Sequence, residues 1–133
     1  MLHFTRDDAR RLVVLTGEGQ TSLTDWTAAT ERILEEEVWG YATLYDFTAP
    51  DAALPTAFDV TTITKLGMQL VEDSGPRGPV AFAVSDESEY LHTRGWIDSV
   101  GQRVPWPVAA FRTRPEAEAW LDAHRPEPKA SGS

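Results

Sequence analysis

Residues 12–17 (LVVLTG) decide the fold of this chain. Four apolar residues in a row, at positions 12–15, are typical of a strand that is covered on both faces. Just upstream, residues 2–5 (LHFT) have the pattern of a short strand, and the polar residues 6–10 separate the two runs. The sequence therefore predicts a hairpin, with its first strand at an edge of the sheet.

Downstream of that hairpin, helical and strand patterns alternate along the chain. In the first helical stretch, for example, apolar or small residues fall at positions 26, 29, 33 and 34, which is the spacing of one buried stripe. The predicted helices span about 24–38, 58–72, 86–100 and 114–124, and the later predicted strands span 41–45, 79–84 and 108–111. Alternating strands and helices form βαβ units with right-handed crossovers. The expected fold is α/β: a mixed, mostly parallel sheet of five strands with four helices, in the order β-β-α-β-α-β-α-β-α.

The length of 133 residues is that of one ordinary domain. We expect a single domain over residues 1–124 and a disordered tail over 125–133, which is rich in proline and serine. Because the chain has no cysteine, disulfides, thiolate metal sites and cysteine nucleophiles are excluded. No apolar run reaches the roughly 18 residues of a membrane span, and the N-terminus lacks a signal-peptide pattern. The expected location is therefore cytoplasmic, without an integral membrane segment.

Acidic residues dominate the charge of the chain. Twelve lysines and arginines stand against 21 aspartates and glutamates, which gives a net charge of −9. Such a surface repels phosphate groups, and no basic stripe offsets this repulsion. We therefore expect no nucleic-acid partner.

The sequence contains no complete cofactor-binding or metal-binding motif. Residues 17–22 (GEGQTS) follow a strand and precede a helix, as a dinucleotide-binding turn does. However, Ser22 replaces the third glycine, and Glu18 would repel a pyrophosphate. None of the three histidines has a second ligand at metal-binding spacing. We expect a tight strand-to-helix turn here, no cofactor and no metal.

The segment 94–107 (RGWIDSVGQRVPWP) is the most informative candidate for function. Large apolar residues are frequent in it, yet glycines and prolines interrupt it, which is typical of a mobile cover over a pocket. In the second predicted helix, Gly67 removes side-chain bulk and Met68 is an adaptable packing residue, so this helix is a candidate floor. The alternative is that Trp96 and Trp106 cap the core at one edge of the sheet. The candidate ligand or partner surface comprises Phe58, Ile63, Gly67, Met68, Trp96, Ile97 and Trp106.

Four pieces of the sequence follow one another in a recognisable order: residues 12–17 (LVVLTG), 44–47 (LYDF), 80–86 (VAFAVSD) and 111–121 (FRTRPEAEAWL). With these pieces, the order of the elements over residues 2–124 resembles the STAS-type domain of the anti-sigma-factor antagonists, in particular the stand-alone STAS-like proteins of bacteria. The resemblance implies a non-catalytic module that binds a partner protein or a small apolar or nucleotide ligand.

The same resemblance implies a candidate phosphorylation site. In the antagonists, a hydroxyl in an Asp-Ser-x-Gly-like turn at the start of the second helix is phosphorylated by a partner kinase. The corresponding residues 54–59 (LPTAFD) place Thr56 near that position, without the preceding Asp or the following Gly. A phosphate there would meet the N–H groups of a helix N-terminus, whereas Asp59 would repel it.

From the sequence we expect a non-enzymatic STAS-like regulatory or binding module. It would bind a partner protein or a small apolar ligand through the surface between its second and third helices. Two alternatives stay open. One is a small hydrolase-type enzyme in the same cleft, for which the sequence shows no nucleophile–base set. The other is a homodimer that uses the surface structurally.

Overall fold

The computed structural model describes residues 1–124, and at residues 57–60 it describes the backbone alone. The elements are β1 (Leu2–Asp7), β2 (Leu12–Gly17), α1 (Leu23–Glu35), β3 (Ala42–Phe47), α2 (Ala57–Ser74), β4 (Val80–Val84), α3 (Glu87–Val100), β5 (Val108–Phe111) and α4 (Arg114–His124). The predicted α/β fold, with its five strands and four helices in that order, is confirmed. The tail predicted at 125–133 lies outside the described residues. None of the described helices is long and apolar enough to span a bilayer.

The five strands form one mixed sheet in the order β1-β2-β3-β4-β5. β1 pairs antiparallel with β2, with Phe4 opposite Leu15, so the predicted edge hairpin is present. The remaining neighbours are parallel: Leu15 lies opposite Tyr45, and Tyr45 lies opposite Phe82. Because three crossovers of the usual right hand all advance in the same direction, α1, α2 and α3 share one face of the sheet. α4 follows the last strand and packs on the other face.

The two faces of the sheet carry side chains of different size. On the face of α1, α2 and α3, the strands β3 and β4 present rings, at Tyr45, Phe47 and Phe82. On the α4 face, the same strands present alanines at positions 42, 81 and 83. Rings fill more of the space between sheet and helices than alanines do, so the packing on this face depends on how large side chains fit together. The candidate site lies on this face.

α1 ends earlier than the sequence predicted. The apolar spacing placed its end at Val38, but the helix ends at Glu35. Glu37 takes the left-handed conformation, with φ 59°, and the N–H of Val38 donates to the carbonyl of Ile33. This reversal is a Schellman motif, in which the residue after the C-cap is most often glycine. Val38 is buried, so its apolar character reflects a core residue of the following loop and not another helical turn.

The segment 94–107 is more regular than its composition indicated. α3 begins behind Asp86, whose side chain accepts a hydrogen bond from the N–H of Glu89, as expected of an N-cap. The helix then continues without a break through Gly95 to Val100. Irregular backbone is confined to residues 101–107. The first half of the segment is therefore helical, and the glycines and prolines at 101–107 interrupt only its second half.

Candidate functional site

An apolar cavity lies between α2, α3 and the sheet, on the face that carries the rings. Its volume is about 50 Å³, and its wall is almost entirely apolar. Residues from α1, α2, β4, α3 and the loop before α2 form this wall. The chief lining residues are Trp26, Leu54, Pro55, Ile63, Phe82 and Trp96, with His92 and Thr93 on the α3 side.

A stack of aromatic rings forms the floor of this cavity. The ring centres of Trp26 and Tyr45 are 4.4 Å apart with their planes at 10°, and Tyr45 stacks on Phe82 at 4.9 Å and 11°. Trp96 meets Phe82 edge-on, with ring centres 5.7 Å apart. Each such pair stabilises the fold by about 0.5–1.5 kcal/mol beyond the burial of its area, so the floor is well defined. In α2, Gly67 is the one buried residue among those whose burial is described.

A second cavity, of about 30 Å³, shares Trp26, Ile63, Phe82 and Trp96 with the wall of the first. It reaches Arg77 and Trp106, which follow the C-terminal ends of α2 and α3. We refer to the two cavities together as the slot. The slot runs beneath α2, from Pro55 just before the helix to Arg77 just after it.

Arg77 closes this end of the slot with its guanidinium held between two indoles. The guanidinium carbon lies 4.9 Å from the ring centre of Trp39 and 5.4 Å from that of Trp106. One terminal nitrogen donates to the hydroxyl of Tyr45 at 3.3 Å. Among the described residues, no carboxylate pairs with Arg77. The guanidinium of Arg77 is therefore held by cation–π contacts and a neutral acceptor, and not by an ion pair.

A wider cleft forms the mouth of the slot beside the N-terminus of α2. The volume of this cleft is about 460 Å³, and it borders the slot at Leu54, Pro55 and His92. Thr56 and Glu89 add polar groups to it. The cleft lies at the carboxyl ends of the parallel strands, which is where sheets of this class usually bind ligands.

The N-terminus of α1, at this mouth, is already capped by its own side chains. Ser22 Oγ accepts from the N–H of Asp25 at 3.2 Å, and Asp25 accepts from the N–H of Ser22 at 3.0 Å. The hydrogen bond from the Ser22 backbone is the main cause that places the pKa of Asp25 below its ordinary value. This capping box uses N–H groups that could otherwise bind an anion.

The turn at residues 17–22 is held by structural partners. The N–H of Thr21 donates to the carbonyl of Ala53, and the N–H of Ala53 donates to the carbonyl of Gly19, both at 3.0 Å. Glu18 lies 2.7 Å from a ring nitrogen of His3. These contacts tie the turn to the loop before α2, and they are those of a tight strand-to-helix turn.

Four residues of the sequence-predicted surface lie at the slot or directly behind it. Ile63 and Trp96 line both cavities, and Trp106 lines the second. Gly67 is packed against Trp106, since a Cβ at position 67 would lie 3.0 Å from Trp106 Cη2. Trp106 is 8 % exposed, so this indole caps the core and also borders the slot.

The other predicted residues lie elsewhere or are not described. Met68 is 40 % exposed on the outer side of α2. Ile97 lines a separate groove along the outer edge of β5. The side chain of Phe58 is outside the described part of the chain. Thr56, the candidate phosphorylation site, is exposed at the mouth.

Sequence reasoning missed several residues of the slot. Trp26, Tyr45 and Phe82 have the spacing of ordinary core residues, and no sequence signal separates a ring beside a cavity from a ring in a filled core. Arg77 lies in an irregular stretch between α2 and β4, where no periodic pattern assigns it a role. Of the residues at the mouth, the sequence singled out Thr56, through the resemblance and not through any sign of a cleft.

Comparison with known proteins supports the fold. No protein-family model and no curated protein matches this chain. Among solved structures, the chain is similar to an uncharacterized protein of the DUF3478 family from Shewanella loihica PV-4, which has a SpoIIAA-like fold. The similarity covers 91% of this chain and 92% of that one, with a TM-score of 0.59 and 16% sequence identity. Because the SpoIIAA-like fold is the STAS-like fold, the resemblance inferred from the sequence is confirmed: this chain folds as a STAS-like α/β domain.

Proposed function

We propose that this protein is a STAS-like binding module without catalytic activity, and that it holds a small apolar ligand in the slot beneath α2. The observation that carries this proposal is the apolar cavity between Trp26, Ile63, Phe82 and Trp96. A hydrocarbon group that enters through the mouth loses its contact with water and packs against the aromatic rings of the cavity wall. The transfer of its apolar surface out of water provides the driving force.

The wall of the cavity favours an apolar occupant over ordered water. Water in a protein interior needs two to four polar partners, whereas cavities lined by apolar side chains stay dry and take up small apolar molecules. The space of about 50 Å³ suits a narrow hydrocarbon portion of a ligand. The mouth, of about 460 Å³, accommodates the rest of a longer molecule.

The groups at the mouth support binding over hydrolysis. A hydrolase needs a nucleophile in hydrogen-bond contact with a base, and the base needs a third group to orient it. Among the described residues, none forms a hydrogen bond to the ring of His92, the histidine at the mouth. The hydroxyl of Thr93, which borders the cavity, donates to the carbonyl of Glu89 at 2.8 Å and so has a structural role.

Titration with an apolar fluorescent probe tests the proposed function, with two matched variants on α2. Ile63→Phe places a larger side chain in the cavity. Leu66→Phe adds bulk at a half-buried position of the same helix that does not line it. We expect the wild-type protein to bind the probe, Ile63→Phe to bind it about tenfold more weakly, and Leu66→Phe to match the wild type.

Two results would overturn the proposal. Absence of probe binding to the wild-type protein is one, and equal binding by all three proteins is the other. Light scattering over a range of concentrations separates the homodimer alternative. A mass of twice 14.7 kDa whose formation abolishes probe binding would assign the surface to a dimer interface.

A further inference from the structure

Two buried hydrogen-bond donors in the slot have no acceptor among the described residues. They are Nε of Arg77 and Nε1 of Trp96, both shielded from solvent. Both residues line the second cavity. A buried donor without an acceptor is costly, and most costly when it is charged, so folded proteins keep few of them. An acceptor-rich group that reached these nitrogens from the cavity would satisfy both of them.

The charge of Arg77 points to the nature of that group. The guanidinium contacts the faces of Trp39 and Trp106 and the neutral hydroxyl of Tyr45, and none of these carries a negative charge. A guanidinium presents a planar fork of N–H donors, which matches the two oxygens of a carboxylate. Trp96, whose Nε1 is the other donor without an acceptor, lines the same cavity.

The two ends of the slot differ in charge, and this difference sets an orientation. Glu89 lies at the mouth, and Asp86 caps the helix that carries it. Arg77 lies at the other end, and the wall between the two ends is apolar. A carboxylate is repelled at the mouth and attracted at Arg77, so a carboxylate-bearing chain would lie with its other end toward the mouth.

We propose that the ligand of the slot is a monocarboxylate of fatty-acid type, whose carboxylate binds Arg77 and Trp96 Nε1 and whose hydrocarbon chain lies against Ile63 and Phe82. This assignment rests on the function proposed above and adds the chemistry of the head group. A carboxylate head group explains the presence of a cationic side chain at this end of the slot, whereas a purely apolar ligand does not.

Calorimetric titration with ligand pairs of equal chain length tests the assignment. Straight-chain carboxylates of six to ten carbons are compared at pH 7.5 with the primary alcohols of the same length. In the wild-type protein we expect the carboxylate to bind about tenfold more tightly than the alcohol, because the carboxylate alone forms charge-assisted bonds to the guanidinium. Arg77→Met is expected to bind both members of each pair equally, and to bind the alcohol as the wild type does.

Arg103→Met is the matched control. Arg103 is an exposed arginine on the loop before β5, so its loss changes the net charge of the protein by the same amount without touching the slot. This variant is expected to keep the tenfold preference for the carboxylate. Should Arg77→Met fail to fold, equal binding of acid and alcohol by the wild-type protein would still overturn the carboxylate.

The outcomes separate this assignment from the proposed function. Equal affinity of the wild-type protein for acid and alcohol would overturn the carboxylate and leave the apolar slot in place. A preference for the acid that persists in Arg77→Met would overturn the assignment to Arg77. If the wild-type protein binds neither ligand, both the proposed function and the carboxylate assignment are overturned.

Discussion

The indole N–H of Trp26 donates to the hydroxyl of Thr21 at 3.0 Å, and that hydroxyl donates to the carbonyl of Ala53 at 2.8 Å. Thr21 is 1 % exposed and Trp26 is 4 % exposed, so both bonds are shielded from water. The pair of bonds ties the ring that floors the slot to the loop that forms its mouth.

Removal of the Thr21 hydroxyl should therefore destabilise the whole domain. Thr21→Val keeps the shape of the side chain but leaves the indole N–H of Trp26 without its acceptor. A buried donor without a partner costs about 2 kcal/mol, which we expect as the loss in the free energy of unfolding measured with urea. Thr24→Val, an exposed threonine in α1, is the control and should cost well under half of that. Equal losses in the two variants would contradict the account of this bond.

The C-terminus of α1 offers a stabilising substitution. Glu37 holds a φ of 59°, a conformation in which glycine has no steric penalty. Glu37→Gly is expected to raise the free energy of unfolding by about 0.5–1 kcal/mol, because the Schellman motif prefers glycine at this position. Glu35→Gly, two residues earlier and still helical, is expected to lower it by a similar amount. A loss of stability in Glu37→Gly would show that its side chain has a contact that outweighs the backbone strain.

A chain of charged groups on the α4 side makes stability depend on pH. Glu118 contacts Arg10 at 2.7 Å and Arg114 at 3.1 Å, and Arg114 in turn contacts Asp46 at 3.1 Å. Burial acts to raise the pKa of Glu118, but the hydrogen bonds from the two arginines outweigh it, and the pKa lies below its ordinary value. The folded state thus favours the ionised carboxylate. The stability that this provides is present above the pKa of the unfolded chain and is lost as the pH falls through the folded pKa.

Glu118→Gln should therefore be less stable than the wild type at pH 7, by about 1 kcal/mol for a partly exposed pair of contacts. The difference should shrink as the pH falls below about 4.3, the usual pKa of glutamate, because the wild type then loses the same charge. Urea unfolding at a series of pH values measures both. Glu31→Gln, at an exposed position of α1, is the control, and a gap of the same size and pH dependence there would contradict the account.

The fold was predictable because burial leaves a direct record in the sequence. Strands covered on both faces have unbroken apolar runs, as at residues 12–15 and 80–84, and the cap at Asp86 marks the start of a helix. The end of α1 was not predictable from spacing, because Val38 continues the apolar pattern although the backbone has already reversed at Glu37.

The site was predictable in part, for a different reason. Trp96 and Trp106 could be singled out because they are large apolar residues in a segment that glycines and prolines interrupt. Ile63 could be singled out because it lies on the apolar stripe of the second predicted helix. The position of the cavity depends on how side chains from separate elements pack against each other, as Gly67 packs against Trp106. The periodicity of one element contains no information on such contacts. Arg77 could not be found, since its role follows from its neighbours in space.

The most direct test of the slot is the position of a bound ligand. An isotope-filtered NOE spectrum of ¹³C-labelled protein with an unlabelled straight-chain ligand reports which side chains lie within about 5 Å of its methylene protons. The account predicts contacts to the methyl groups of Ile63 and to the rings of Phe82 and Trp96. Contacts confined to Phe111 and Trp120, in the groove along the outer edge of β5, or no contact at all, would contradict it.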